Sequence, residues 1–248
     1  MKVENMLAKN ITAIGVNASY DSACKRLLAN KVILAWIMKS CLEEYANCSI
    51  QEIMEQYIEG EPDIGQVPVN MDEKVLSEQI ETASVEDNSV YEGTVSYDIR
   101  FYANTPGTGE RNRLIINIEA QNDFYPGYPI VKRGIYYCSR MISSQYGVEF
   151  TESHYDRIKK VYSIWICMNP PKYRRNSINR YFIKEEKLIG DVSERKENYD
   201  LITTVMICLG ESNDKNSLGV LDYWRFCFLQ NGVLRKKRKF CRKIFRLK

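Results

Sequence analysis

Histidine is almost missing from this sequence: His154 stands alone among 248 residues. The eight cysteines are scattered and no two form a C-x-x-C pair, so the usual ligand set of a zinc site is not there. Reduced, mostly buried thiols in a cytoplasmic protein are the expectation instead. No glycine motif of the phosphate-cradling kind occurs, which leaves a small-molecule enzyme on another α/β fold without support. No apolar run is long enough to cross a membrane, and the opening MKVENMLAKNITAIG lacks the apolar block of a signal peptide. No membrane partner is therefore expected.

What is present is an ordinary globular composition, 44% hydrophobic and 27% charged, in a chain long enough to bury a core. The net charge of +3 conceals an asymmetry. Residues 235–248, RKKRKFCRKIFRLK, carry nine basic side chains and no acid, and without them the chain has 26 basic against 32 acidic residues. The body is thus acidic overall, and any nucleic-acid surface on it must be a local basic patch.

Along the chain, residues 1–19 read as an N-terminal extension and residues 20–210 as one domain. Within it, Tyr20 to Glu44 has the periodicity of an amphipathic helix that Asp21 can cap. Ser49 to Tyr57 predicts a second short helix, with Ser49 and Glu52 in a capping-box pattern. Residues 59–88 are acidic and weakly periodic, and read as a connector. Val95, Tyr97, Ile99 and Phe101 alternate with Ser96, Asp98, Arg100 and Tyr102, predicting a strand with one apolar face. A second strand is expected over Leu114 to Gln121, and a helix over Ile130 to Tyr146 with Val131, Ile135, Cys138 and Ile142 on its apolar side. Strands are expected at Val161 to Met168, ended by Asn169-Pro170-Pro171, at Ile178 to Ile183 and at Leu201 to Leu209.

The stretch RLIINIEAQ, Arg113 to Gln121, carries the chemistry. Side chains two apart in a strand share a face, so Glu119 and Gln121 point the same way. Asp98 on the preceding strand would bring a second carboxylate. Two carboxylates can hold a divalent cation such as Mg2+, with the Ala120 carbonyl as a further oxygen ligand and open positions for water and phosphate. The plain alternative is that these residues form the solvated face of a hairpin. The helix that follows bears Arg133 and Arg140, which suit a phosphate seated between guanidinium and carboxylate.

Several segments in order, YDSACKRLLANKVILAWIMK, YDIRFYA, RLIINIEAQ, GYPIVKRGIYYCSRMISSQYG, YDRIKKVYSIWICMNPP and YDLITTVMICLG, resemble the PD-(D/E)XK nuclease family transposases, related to the recombination-promoting nucleases. The resemblance spans Tyr20 to Leu209. It implies an α/β fold with a restriction-endonuclease-like core, a mixed β-sheet flanked by helices, and cleavage of DNA with Mg2+, or Mn2+ in its place, during mobile-element recombination. It makes Asp98 the motif aspartate and Glu119 the second acid. Gln121 stands where the motif usually has lysine, a form common in this branch. Tyr137, Arg140 and Gln145 match the helix after the motif, where phosphate or metal-site support is implied, and Glu43 or Glu44 would add a further carboxylate. Two cuts in a duplex need two active sites, so a homodimer is the expectation.

Residues 211–248 depart from the family. An abrupt change in composition reads as a frameshifted ending. The basic tail has a second reading, a nonspecific phosphate-binding arm. The alternative for the whole chain is a catalytically inactive DNA-binding or interaction remnant of a mobile element.

Overall fold

The computed structural model describes residues 20–64, 86–89, 93–107 and 113–210. The expectations for residues 1–19, for most of the acidic connector and for residues 211–248 lie outside them. Of the Asp21 cap nothing is described. Among the described residues, no helix is long and apolar enough to cross a membrane.

The molecule is a mixed α/β structure in which helices flank a six-stranded sheet. Three strands form its parallel centre: β5 (Arg113–Asp123), β6 (Val161–Asn169) and β8 (Ile202–Cys208). Antiparallel strands flank them, β4 (Ile99–Asn104) and β1 (Asp63–Ile64) on one side and β7 (Ser177–Phe182) on the other. Strands β2 (Glu86–Ser89) and β3 (Gly93–Ser96) form a separate antiparallel pair. β6 is buried along almost its whole length, as expected of a central strand covered on both faces.

One face packs against the N-terminal helices. The sequence predicts one helix there; the structure has two, α1 (Tyr20–Leu28) and α2 (Lys31–Cys41). Asn30 makes the break, because its side chain accepts the Val32 N–H at 3.0 Å and so caps α2 instead of continuing α1. Short helix α3 (Ile50–Glu52), which runs into a π-helical turn, has the predicted Ser49–Glu52 capping box. Leu28, Ile33 and Met38 from these helices meet Ile116, Ile118, Ile164 and Ile166 from the sheet.

Helix α4 (Ile130–Ser143) covers the opposite face. Its buried stripe is Ile130, Gly134, Cys138 and Met141, whereas Ile135, expected inside, is 45% exposed. Gly134 decides the register of this contact: a Cβ there would stand 2.5 Å from Thr204 Cγ2 and 2.9 Å from Trp165 Nε1. The helix thus sits on its glycine, and the larger apolar residues beside it rotate outward.

Two further corrections bear on the site. The start of the supposed connector is part of the sheet: Asp63 and Ile64 pair with Arg100 and Ile99, and the Glu59 N–H donates to the Tyr102 carbonyl. The strand read through Val95 to Tyr102 is broken at Tyr97 and Asp98. Val95 and Tyr97 join the core under α4, while Ile99 and Phe101 join the core under α1 and α2. The alternation is real, but the chain changes faces at Asp98.

Candidate active site

Strand β4 begins its ladder at Ile99, opposite Ile118 of β5, so Asp98 and Glu119 meet just where main-chain pairing stops. Side chains replace the missing ladder bonds. The Asp98 N–H donates to Glu119 Oε1 at 3.1 Å, and the Ala120 N–H donates to Asp98 Oδ2 at 2.9 Å. Each acid thus accepts a backbone hydrogen bond from the other's strand. Because N–H and C=O of one strand residue point to the same side, the Ala120 carbonyl is also directed toward the Asp98 edge.

Glu119 is 5% exposed, and Asn117, two residues earlier on the same face, donates its amide to Glu119 Oε1 at 2.8 Å. Glu119 Oε2 accepts no hydrogen bond among the described residues. Burial, and after it the Asp98 charge, pushes the Glu119 carboxyl well above the usual carboxylate range; the Asp98 N–H, Arg133 and Lys25 pull it partly back. An acid pair in this state is one that a hard cation stabilises by relieving both burdens.

Two cations address the pair. Lys25, from α1 on the far side of the sheet, places its Nζ 3.0 Å from Asp98 Oδ1. Arg133, from α4, donates to the Tyr137 hydroxyl through Nε at 3.0 Å and to the Tyr128 hydroxyl through Nη1 at 3.1 Å. Its guanidinium stands 5.2 Å from the Trp165 ring centroid. Tyr137 in turn packs edge-on against Tyr97, with centroids 5.3 Å apart. Buried aromatics therefore fix the orientation of Arg133 toward Glu119.

The residues singled out from the sequence divide into two groups. Asp98, Glu119, Ala120, Arg133 and Tyr137 are brought together. Gln121 shares the face of Glu119, but its Nε2 donates to the Asp123 carbonyl at the end of the same strand. Arg140 is buried, and its Nη1 donates to the Tyr136 hydroxyl at 3.2 Å. Gln145 is 1% exposed and clamps the chain before β6, donating to the Lys159 carbonyl at 3.0 Å and accepting the Lys159 N–H at 2.6 Å. Both of these bonds are to the Lys159 main chain, and among the described residues none joins Gln145 to the acid pair. Glu43 and Glu44 lie elsewhere too: Glu44 accepts the Tyr162 hydroxyl near the start of β6, and Glu43 pairs with Lys196. His154 is exposed.

Lys25 and Asn117 were not legible as site residues. Lys25 lies in an amphipathic helix where any lysine reads as solvated, and only the packing of α1 brings it to Asp98. Asn117 had one signal, a polar side chain in step with Glu119 and Gln121.

The donor set fits Mg2+ or Mn2+. Asp98, Glu119 and the Ala120 carbonyl are all hard oxygens, and among the described residues no third His, Cys, Asp or Glu joins the pair. Asn117 Oδ1 is buried with no hydrogen-bond partner among the described residues, an orphan acceptor that the water protons of a hydrated cation would satisfy. Comparison of the chain with protein-family models, with curated proteins and with solved structures returns no match.

Proposed function

We propose that this chain is a metal-dependent DNA endonuclease of the transposase-associated PD-(D/E)XK type, with a restriction-endonuclease-like core, that hydrolyses phosphodiester bonds during mobile-element recombination. The observation that carries the reading is the pair of main-chain-to-carboxylate bonds, Asp98 N–H to Glu119 and Ala120 N–H to Asp98, that sets the two acids together toward the carboxyl end of β5, where open α/β sheets place their ligands. The order of elements supports it, with an antiparallel β4–β5 pair followed by α4 and the parallel strand β6.

In this reading Asp98, Glu119 and the Ala120 carbonyl hold Mg2+ or Mn2+. The bound ion supplies a Lewis acid for the phosphate and lowers the pKa of a coordinated water. The chain's own residues do the rest. Arg133 offers a guanidinium, fixed by Tyr137 and Tyr128, to a phosphate oxygen. Lys25 supplies the ammonium that the neutral Gln121 cannot. The protein works as a homodimer in the cytoplasm, where its six buried free thiols among the described residues stay reduced.

The test is incubation with plasmid DNA in Mg2+ or Mn2+, set against EDTA and against Asp98→Ala and Glu119→Ala. Cleavage by wild type that either substitution or EDTA abolishes is expected. Cleavage that survives both substitutions removes these acids from the mechanism. One observation favours a second reading, an inactive DNA-binding remnant: Gln121 is bonded to Asp123 at the position of the motif lysine. Folded wild-type protein that binds DNA but cuts none with either metal would select it.

A further inference from the structure

At the start of α4, between the residues that follow β5 and β6 and the strands β7 and β8, lies a cavity of about 400 Å³ that the mechanism above does not use. Its walls are aromatic: Phe124 and Tyr125 follow β5, Tyr128 precedes α4, and Tyr173 follows β6. Tyr125 is 63% and Tyr173 74% exposed, costly positions for large rings unless something covers them. Their hydroxyls meet 3.1 Å apart, which holds the two rings together across the mouth.

The cavity is also cationic. Arg174 lines it, with its guanidinium 5.7 Å from the Tyr173 ring centroid, and Lys172 and Arg175 flank it in sequence. The Arg174 guanidinium is hydrogen-bonded to the Tyr181 and Tyr173 side chains, while its Nε has no partner among the described residues. Tyr128 joins the cavity to the acid pair, since its hydroxyl accepts from the same Arg133 that faces Glu119.

We infer that this cavity is a nucleobase subsite, which holds one unpaired base of a DNA strand whose neighbouring phosphate lies at Asp98 and Glu119. Flat exposed rings give every base a stacking surface, Arg174 answers a carbonyl or ring nitrogen on the base edge, and Lys172 and Arg175 answer the backbone. A base inside a duplex cannot enter such a cavity, so the substrate has a single-stranded or extruded nucleotide at the cut. The subsite's link to cleavage rests on the nuclease reading; its affinity for a base does not.

The experiment titrates the full chain, in EDTA, into a single-stranded DNA oligonucleotide carrying 2-aminopurine, following its fluorescence and the anisotropy of an end label. Wild type is expected to bind the strand and quench the base. Tyr125→Ala and Tyr173→Ala should each weaken binding about tenfold and lose the quenching, on the scale of base–aromatic stacking. Tyr173→Phe, which keeps the ring, should bind as wild type. Because both tyrosines are exposed, circular dichroism should show these variants folded. Unchanged affinity and quenching in both alanine variants overturns the proposal, as does a blunt duplex bound as tightly as the single strand. Tighter binding of the equivalent RNA strand overturns the assignment to DNA. Loss of cleavage in wild type with quenching intact defeats the nuclease reading and leaves the subsite standing. Cleavage with quenching unaffected by the alanine variants does the reverse.

Discussion

Lys25 Nζ stands 3.0 Å from Asp98 Oδ1 while the other oxygen of Asp98 accepts the Ala120 N–H, so a helix from one face of the sheet supplies the charge at a site facing the other. This relationship bears directly on Gln121. In the proposed reaction a neutral amide cannot balance the charge that builds on a phosphate under attack, and an ammonium held against Asp98 can.

Lys25→Met is therefore expected to lower DNA cleavage at saturating Mg2+ on the order of a hundredfold, the scale for removing one preorganised charge or donor. Lys25→Arg should keep much of the rate. Gln121→Lys alone should retain at least partial activity, and combined with Lys25→Met it should recover part of the loss. Initial rates on supercoiled plasmid measure all four. Wild-type rates in Lys25→Met would remove the lysine from the chemistry.

The raised Glu119 carboxyl makes stability depend on pH in a definite direction. The folded protein holds a proton on Glu119 that the unfolded chain releases near the ordinary glutamate pKa. This group's contribution is thus fully present below the unfolded pKa and is lost as pH rises through the window up to the folded pKa. Urea unfolding in EDTA, so that no cation holds the carboxylate charged, should show stability falling across that window. Glu119→Gln should flatten the slope. A wild-type slope of the opposite sign, unchanged in Glu119→Gln, would contradict the assignment.

Gly134→Ala places a methyl where Thr204 and Trp165 already stand, with the nearest atom at 2.5 Å. Overpacking a buried contact costs about 1–3 kcal/mol. The better helix propensity of alanine returns only about 1 kcal/mol. Since Thr204 and Trp165 are both buried, the clash should win and the urea midpoint should fall. An equal or higher midpoint would mean that α4 is free to lift from the sheet.

Gln145→Ala removes both hydrogen bonds to Lys159 and leaves its main-chain groups to find other partners. A loss of about 1–3 kcal/mol in unfolding free energy is expected. DNA affinity and metal dependence should stay unchanged, which separates a structural clamp from a phosphate- or metal-supporting role. A shift in the Mg2+ concentration needed for cleavage, at unchanged stability, would reverse that reading.

Much of the framework is local and could be read before any coordinates. Apolar runs marked β6 and β8, Asn169-Pro170-Pro171 marked the end of β6, and Ser49 with Glu52 marked a helix start. Glu119 and Gln121 share a face because strand geometry allows nothing else. Each of these signals acts over a few residues, where backbone stereochemistry and side-chain period suffice.

Errors arose where a local pattern is compatible with two arrangements. Helical periodicity through Ala29 and Asn30 does not reveal that the Asn30 side chain caps a new helix. The stripe on α4 could centre on Ile135 or on Gly134, and only the height of Thr204 and Trp165 beneath selects the glycine. Alternation from Val95 to Phe101 hides a change of face, because a bend at Asp98 preserves the period while exchanging the core each residue joins.

By itself, then, the sequence determined the central strands β5, β6 and β8, the starts of α3 and α4, and a carboxylate and amide in step along RLIINIEAQ. Tertiary structure alone decided that the Asp98 N–H donates to Glu119 while Asp98 accepts the Ala120 N–H, that Lys25 pairs with Asp98, and that Gln145 clamps Lys159. The division has a physical cause. Backbone conformation responds to near neighbours, whereas a site is set by which distant side chains the packing of helices on a sheet forces together.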